Sequence, residues 1–240
     1  MLFLRERSDG SPKPNIGVLG AAMQGFQRLG DTVRSAKRYR QLVRFLIAFF
    51  VFSFGTQTVV YFAAIIGRDF KFQTSELFLM TLVLSITAGV ASAVLAKYQD
   101  RLGGIRTLVI VLLVWIATTF GLAAFYWMNI TEKWALWTCA IGIGIGLGGI
   151  GSSARAVVGC FTPTEKSAEF FGLWGMVYKA AGVIGTTTFA YVWNGLGPTW
   201  ALLVLAGFFA AGLALLRLVN EREGILNAGN EPSAAATTGV

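Results

Sequence analysis

The chain has 240 residues, 55% of them hydrophobic and only 13% charged, with a formal net charge of +8. Soluble domains carry about 25% charged residues, so this composition belongs in a bilayer, where every backbone polar group must be satisfied internally. The chain has no histidine, which removes Ser–His and Cys–His catalysis and most zinc chemistry. Cys139 and Cys160 are too few for a disulfide framework or a metal site. The basic residues sit at the ends of apolar runs, whereas a nucleic-acid face needs a basic stripe. No convergent acid, base and nucleophile occurs in the apolar runs, so no enzymatic activity, cofactor or metal is expected.

In chain order, MLFLRERSDG is too short in its apolar part, and too quickly followed by charge, to be a signal peptide. Residues 1–41 read as a basic linker broken by Ser, Gly and Pro. Between Ile16 and Ala36, Leu19, Met23, Phe26, Leu29 or Gly30, and Val33 share one helical face. That spacing predicts an amphipathic helix on the membrane surface, or equally a solvated linker helix. Six apolar runs follow, at Leu42–Ile66, Leu77–Ala96, Thr107–Met128, Trp134–Ala154, Phe170–Trp193 and Thr199–Leu216. Each is read as a spanning helix, since about 20 apolar residues cross a bilayer. The expected fold is therefore an all-α polytopic membrane protein with a six-helix bundle over 42–219. Thr162-Pro163-Thr164-Glu165 reads as a capping box that starts the fifth helix. Residues 220–240 are polar and small, and are expected to be a disordered tail.

Loop charge sets the orientation. With the N-terminus inside, the inner segments carry sixteen Lys or Arg and the outer loops only Arg68, Lys71 and Lys133. Both termini are then cytoplasmic, and a bacterial inner (plasma) membrane is the expected location. Trp127, Trp134, Trp193 and Trp200 fall at the outer interface, where aromatic belts form.

Three features stand out. The fourth run, IGIGIGLGGIGSSA, contains the nucleotide-binding glycine pattern, but inside an apolar helix rather than between a strand and a helix. Gly142 and Gly146, and Gly144 and Gly148 with Gly149 beside them, are instead read as small residues that let helices approach closely. Lys179 lies inside the fifth run, where a lysine costs about 2.5–3.5 kcal/mol. It is either a site that waits for an anion or a side chain that climbs to the interface. Arg155 is expected at the cytoplasmic end of the fourth run, as an anchor or as a gate paired with Glu165 or Glu169. Thr186, Thr187 and Thr188 either face a cavity or bond back to their own helix.

The segment AKYQDRLGGIR, Ala96–Arg106, resembles the signature loop of the major facilitator superfamily: Asp100, Arg101, Gly103 and Arg106 match, with Ala96 for its leading glycine. In physical terms Asp100 can accept from a helix N-terminus or an arginine, and Gly103 permits a tight turn. GLGGIGSSAR…FTPTEKSAEFFGLWGMVYKAAGVIG is similar to the vacuolar amino-acid effluxer family (autophagy-related) and its bacterial relatives within that superfamily. Gly148, Gly149, Arg155, Pro163, Lys166, Glu169, Phe170, Phe171, Gly172 and Lys179 fit its pattern. Gly151 stands for a glutamine, and Ala154 and Ala156 stand for serines. In the first run Gly55, Gln57 and Thr58 fit, while Phe54 replaces an aspartate. These departures remove polar groups from the transport path.

The resemblance implies the C-terminal six-helix half of a major facilitator fold, built as two inverted three-helix repeats. It implies alternating-access transport of a small solute, with amino-acid efflux as one form. Lys179, Gln57 and Thr58 would serve as substrate or coupling residues, and the 96–106 loop as a cytoplasmic gate. Beyond the lipid bilayer and the solute, the expected partner is an N-terminal six-helix half or a second copy. The alternatives are an inactive fragment or a self-assembling six-span pore or scaffold subunit that associates through its glycine-lined face.

Overall fold

The computed structural model describes residues 39–229. The predicted amphipathic helix over 16–36 lies outside that range. Six long helices follow one another: α1 (Arg40–Asp69), α2 (Thr74–Leu102), α3 (Gly104–Trp127), α4 (Lys133–Phe161), α5 (Ser167–Leu196) and α6 (Pro198–Leu216). A short α7 (Glu221–Asn227) ends the described chain, and no strand occurs among the described residues. The protein is an all-α polytopic membrane bundle. Five of the helices, all but α5 and α7, are long and apolar enough to cross a membrane. Helix α5 is also long, at 30 residues, and its sequence includes Glu169, Lys179 and three consecutive threonines.

Each predicted run becomes one helix, with three corrections. Helix α4 continues past Ala154 to Phe161, because Ala156, Val157 and Val158 hold the helical pattern beyond Arg155. The capping box expected over Thr162–Glu165 does not form: Thr162 is the C-cap of α4, Thr164–Lys166 makes one 3₁₀ turn, and α5 starts at Ser167. A capping box forms instead at the start of α2, between Gln73 and Glu76. The tail read as disordered contains α7, whose Gly224 and Ile225 are buried.

Helix α4 packs between α2 and α3, α1 packs between α5 and α6, and α3 packs on α6 to join the two groups. Helices α1 and α4 touch only lightly. Exchanging α1–α3 with α4–α6 turns this set of neighbours into itself. The helix starts Arg40, Thr74 and Gly104 recur at Lys133, Ser167 and Pro198, displaced by 93, 93 and 94 residues. The second helix of each triplet ends at a lone glycine of positive φ, Gly103 (91°) and Gly197 (93°), a region that disfavours side chains. Successive helices run antiparallel, so the second triplet is inverted relative to the first. This is the inverted repeat expected from the resemblance.

In lipid no hydrophobic effect pulls helices together, so close approach must supply the attraction. The α4 glycines do this on two faces. A Cβ on Gly144 would lie 2.7 Å from the Thr87 side chain, and one on Gly148 would strike the Ala88 carbonyl, both on α2. Gly142, Gly146 and Gly149 face Thr118, Trp115 and Val111 of α3, with Gly149 also against Leu95 of α2. Trp115 is fully buried and stacks on Phe209 of α6, ring centroids 5.0 Å apart.

The two ends differ. At one, Lys133 pairs with Glu76 at 2.7 Å and the Tyr126 hydroxyl donates to Asp69 at 2.9 Å. Trp127, Trp134 and Trp200 are exposed there, as an interfacial belt would be. At the other, α2 turns into α3, and α7 packs against α1 and α4. Arg40, Arg44, Arg101, Arg106, Arg217 and Arg222 gather at that end.

Candidate functional site

Helix α5 crosses α1 through glycines. A Cβ on Gly185 would lie 2.8 Å from the Phe54 Cα, and one on Gly182 would lie 3.2 Å from the Gln57 Nε2. The crossing sets Lys179, the thirteenth residue of α5, beside Gln57. Together with Tyr61, Gly182, Val183 and Thr186 they line an open cleft of about 350 Å³. Lys179 is exposed to the cleft side, and Gln57 is 7% exposed. Among the described residues nothing forms an ion pair or hydrogen bond with the Lys179 ammonium. A cation without a partner midway along a helix costs free energy that a ligand or another chain would offset.

Thr58 does not join them. It is fully buried, and its hydroxyl donates to the Phe54 carbonyl at 2.6 Å. Its neighbour Gln57 faces the cleft, and one residue of helical rotation, about 100°, separates the two. Each of the three threonines bonds back to its own helix: Thr186 to Gly182, Thr187 to Val183 at 2.8 Å and Thr188 to Ile184 at 2.8 Å. Thr186 also lines the cleft.

A second cleft, of about 120 Å³, opens between α1, α4 and α5 and contains Arg155, Thr56, Phe49, Trp174 and Tyr178. Arg155 is not at the helix end, since α4 continues six residues beyond it. Its guanidinium carbon lies 5.7 Å from the Trp174 ring centroid, within reach of a cation–π attraction. The Trp174 and Tyr178 rings are parallel to 2°, with centroids 6.1 Å apart. Of the two carboxylates expected to pair with Arg155, Glu165 is exposed in the 3₁₀ turn and Glu169 sits in the first turn of α5. Thr56 and Tyr178 face the Arg155 cleft, while their chain neighbours Gln57 and Lys179 face the other. The two cations thus flank one seam, α1 against α5. The sequence reading placed Arg155 at an interface because it ended α4 too early.

The 96–106 segment is almost entirely helical. Asp100 and Arg101 belong to the last turn of α2, Arg106 to the first turn of α3, and only Gly103 lies between the helices. Arg101 and Arg106 are exposed. Gly103 makes the tight turn that its identity suggested. Glu221 places a carboxylate at the α3 N-terminus, where it accepts from the Gly104 amide at 2.7 Å and the Ile105 amide at 3.1 Å. Sequence reasoning missed this residue inside a segment read as disordered. Its signal was Asn220 followed three residues later by Glu223, a helix-start spacing.

Residues 1–229 match the model of a family described as vacuole effluxer Atg22 like. The chain is similar to an uncharacterised MFS-type transporter, YxiO, of Bacillus subtilis, at 26% identity over 83% of the chain and 46% of the relative. It is similar to autophagy-related protein 22 of Yarrowia lipolytica, at 26% over 67% of the chain and 28% of the relative. It is also similar to autophagy-related protein 22 of Gibberella zeae, at 25% over 86% of the chain and 35% of the relative. The chain therefore spans less than half the length of these relatives. No solved structure gives a significant match.

Proposed function

Because the chain belongs to the Atg22-like vacuole effluxer family, we propose that it is the C-terminal half of a secondary transporter that moves a small solute by alternating access. One observation carries this reading. In a bundle that matches less than half of its transporter-named relatives, a mid-helix lysine unpaired among the described residues, Lys179, lines an open cleft with Gln57. A second six-helix bundle, an N-terminal half or another copy of this chain, would supply the facing wall. Lys179 and Gln57 then bind the solute or couple its movement. Arg155 holds a second positive position next to them, as an anchor or as a gate with Glu165 or Glu169, and the turn of Asp100, Arg101, Gly103 and Arg106 gates the basic end. Amino-acid efflux is the form to test first, since the family's description names effluxers. Charge segregation supports both termini in the cytoplasm, and a bacterial inner membrane is the proposed location.

The test is reconstitution. Liposomes containing the chain alone, and the chain co-expressed with a six-span partner, are loaded with labelled amino acids and release is followed. Release that saturates with solute supports a transporter, and dependence on the partner or on a cross-linked homodimer identifies the second wall. A passive ion conductance would overturn the reading in favour of a pore. Orientation is read separately, by an impermeant maleimide on Arg101→Cys and Lys71→Cys in a background with both native cysteines replaced by alanine. Labelling of Lys71→Cys alone in intact cells is the expected result.

A further inference from the structure

We infer that α7 is a strap that fuses the basic ends of α1, α3 and α4 into one unit, with Glu221 as its pin. An α-helix leaves its first four N–H groups without intrahelical partners. Glu221 takes two of those of α3, from Gly104 and Ile105, one with each carboxylate oxygen. Such bonds are charge-assisted, and the negative charge faces the positive end of the helix dipole. The two glycines leave room for it: a Cβ on Gly103 would lie 2.9 Å from the Glu221 carboxylate, and one on Gly104 3.4 Å from it.

The strap is tied at two further points. Gln41, the second residue of α1 and 1% exposed, donates through Nε2 to Glu223 at 2.6 Å and accepts the Asn220 amide through Oε1 at 3.0 Å. Gly224 seats on the Phe161 ring at the end of α4, where a Cβ would come within 2.7 Å. Asn220 also caps α7 by accepting the Glu223 amide at 3.1 Å. The chain thus enters α1 and leaves α6 at one bonded junction, and the one-residue turn at Gly103 is held while Glu221 stays in place. None of this depends on whether the bundle transports anything.

Hydrogen exchange of the full chain in lipid nanodiscs tests the strap, because amide protection reports local opening. In Glu221→Ala, peptides covering residues 100–108 are expected to exchange about tenfold faster. Peptides covering 39–44 should also accelerate, and those covering 69–76 at the far end should not change. Glu221→Gln keeps the shape but only one carbonyl acceptor, and should give a smaller acceleration in the same peptides. Gln41→Leu releases the α1 tie and serves if Glu221→Ala does not fold. Unchanged protection at 100–108 in any folded Glu221 variant, or equal acceleration at both ends of the bundle, would overturn the inference.

Discussion

Helices α2 and α5 hold the same place in the two repeats and carry different side chains there. Each flanks its triplet, and each ends at a lone glycine of positive φ. Eighteen residues before Gly103 stands Ser85, and eighteen before Gly197 stands Lys179. Ser85 donates to the Thr81 carbonyl at 2.8 Å and lines a cleft of about 270 Å³ with Leu84, Leu136 and Ile143. The serine meets its hydrogen-bonding need on its own helix, and that cleft stays apolar. Lys179 has no such local solution, because an ammonium needs an anion or several acceptors. Packing is repeated between the triplets, whereas the charge is not. The functional residue is to be sought where the repeat is broken.

The largest expected effect is on that pair. Lys179→Met should abolish saturable solute release from proteoliposomes while leaving membrane insertion and yield unchanged. Ser85→Ala, the equivalent change in the other repeat, should leave release within about twofold of the native chain, since its hydroxyl contributes only a bond to its own helix. Native release from Lys179→Met would remove the lysine from the site, and equal losses in both variants would show that the two clefts are not functionally distinct.

The next contrast is between glycines that touch and glycines that do not. A methyl on Gly148 would meet the Ala88 backbone carbonyl, which cannot move aside as a side-chain tip could. Gly148→Ala should therefore cost about 1–3 kcal/mol by overpacking, partly offset by alanine's helix propensity. Gly172, on the first turns of α5, has nothing within 4 Å of a built Cβ. Gly172→Ala should stabilise by about 0.5–1 kcal/mol. Thermal unfolding of both in the same detergent measures the difference. A destabilised Gly172→Ala would mean that α5 is covered by another chain in the sample.

The helices were legible because apolar runs of spanning length leave few other solutions in lipid. The glycine face of α4 was legible for the same reason: small residues four apart align on one side of a helix. What escaped was decided by contacts distant in sequence. Arg155 looked terminal because charge ends apolar runs, yet Trp174 on α5 receives its guanidinium. Thr58 looked like a site residue beside Gln57, and only the crossing of α5 decides which of the two faces the cleft. Glu221 lies 117 residues from the amide it caps, so no local pattern could connect them. The repeat itself is carried by helix spacing and turn glycines rather than by matching side chains.

The smallest expected effects come from two contacts at opposite ends of the bundle. One joins Lys133 to Glu76, and the other joins Tyr39 to Phe170. The first pair is an ion pair with side chains 45% and 33% exposed. The second is an edge-to-face ring contact, centroids 5.5 Å apart, between residues 8% and 1% exposed. The buried ring pair contributes about 0.5–1.5 kcal/mol beyond its packing, and salt should not alter it. The exposed ion pair contributes about 0.2–1 kcal/mol and is screened by salt. Phe170→Leu should thus lower the unfolding temperature equally at low and high ionic strength, and Lys133→Met should lower it less, and only at low ionic strength. The reverse ranking would mean that the end holding Lys133 and Glu76 is drier than its exposed ion pair indicates, and that the ring contact adds little beyond its packing.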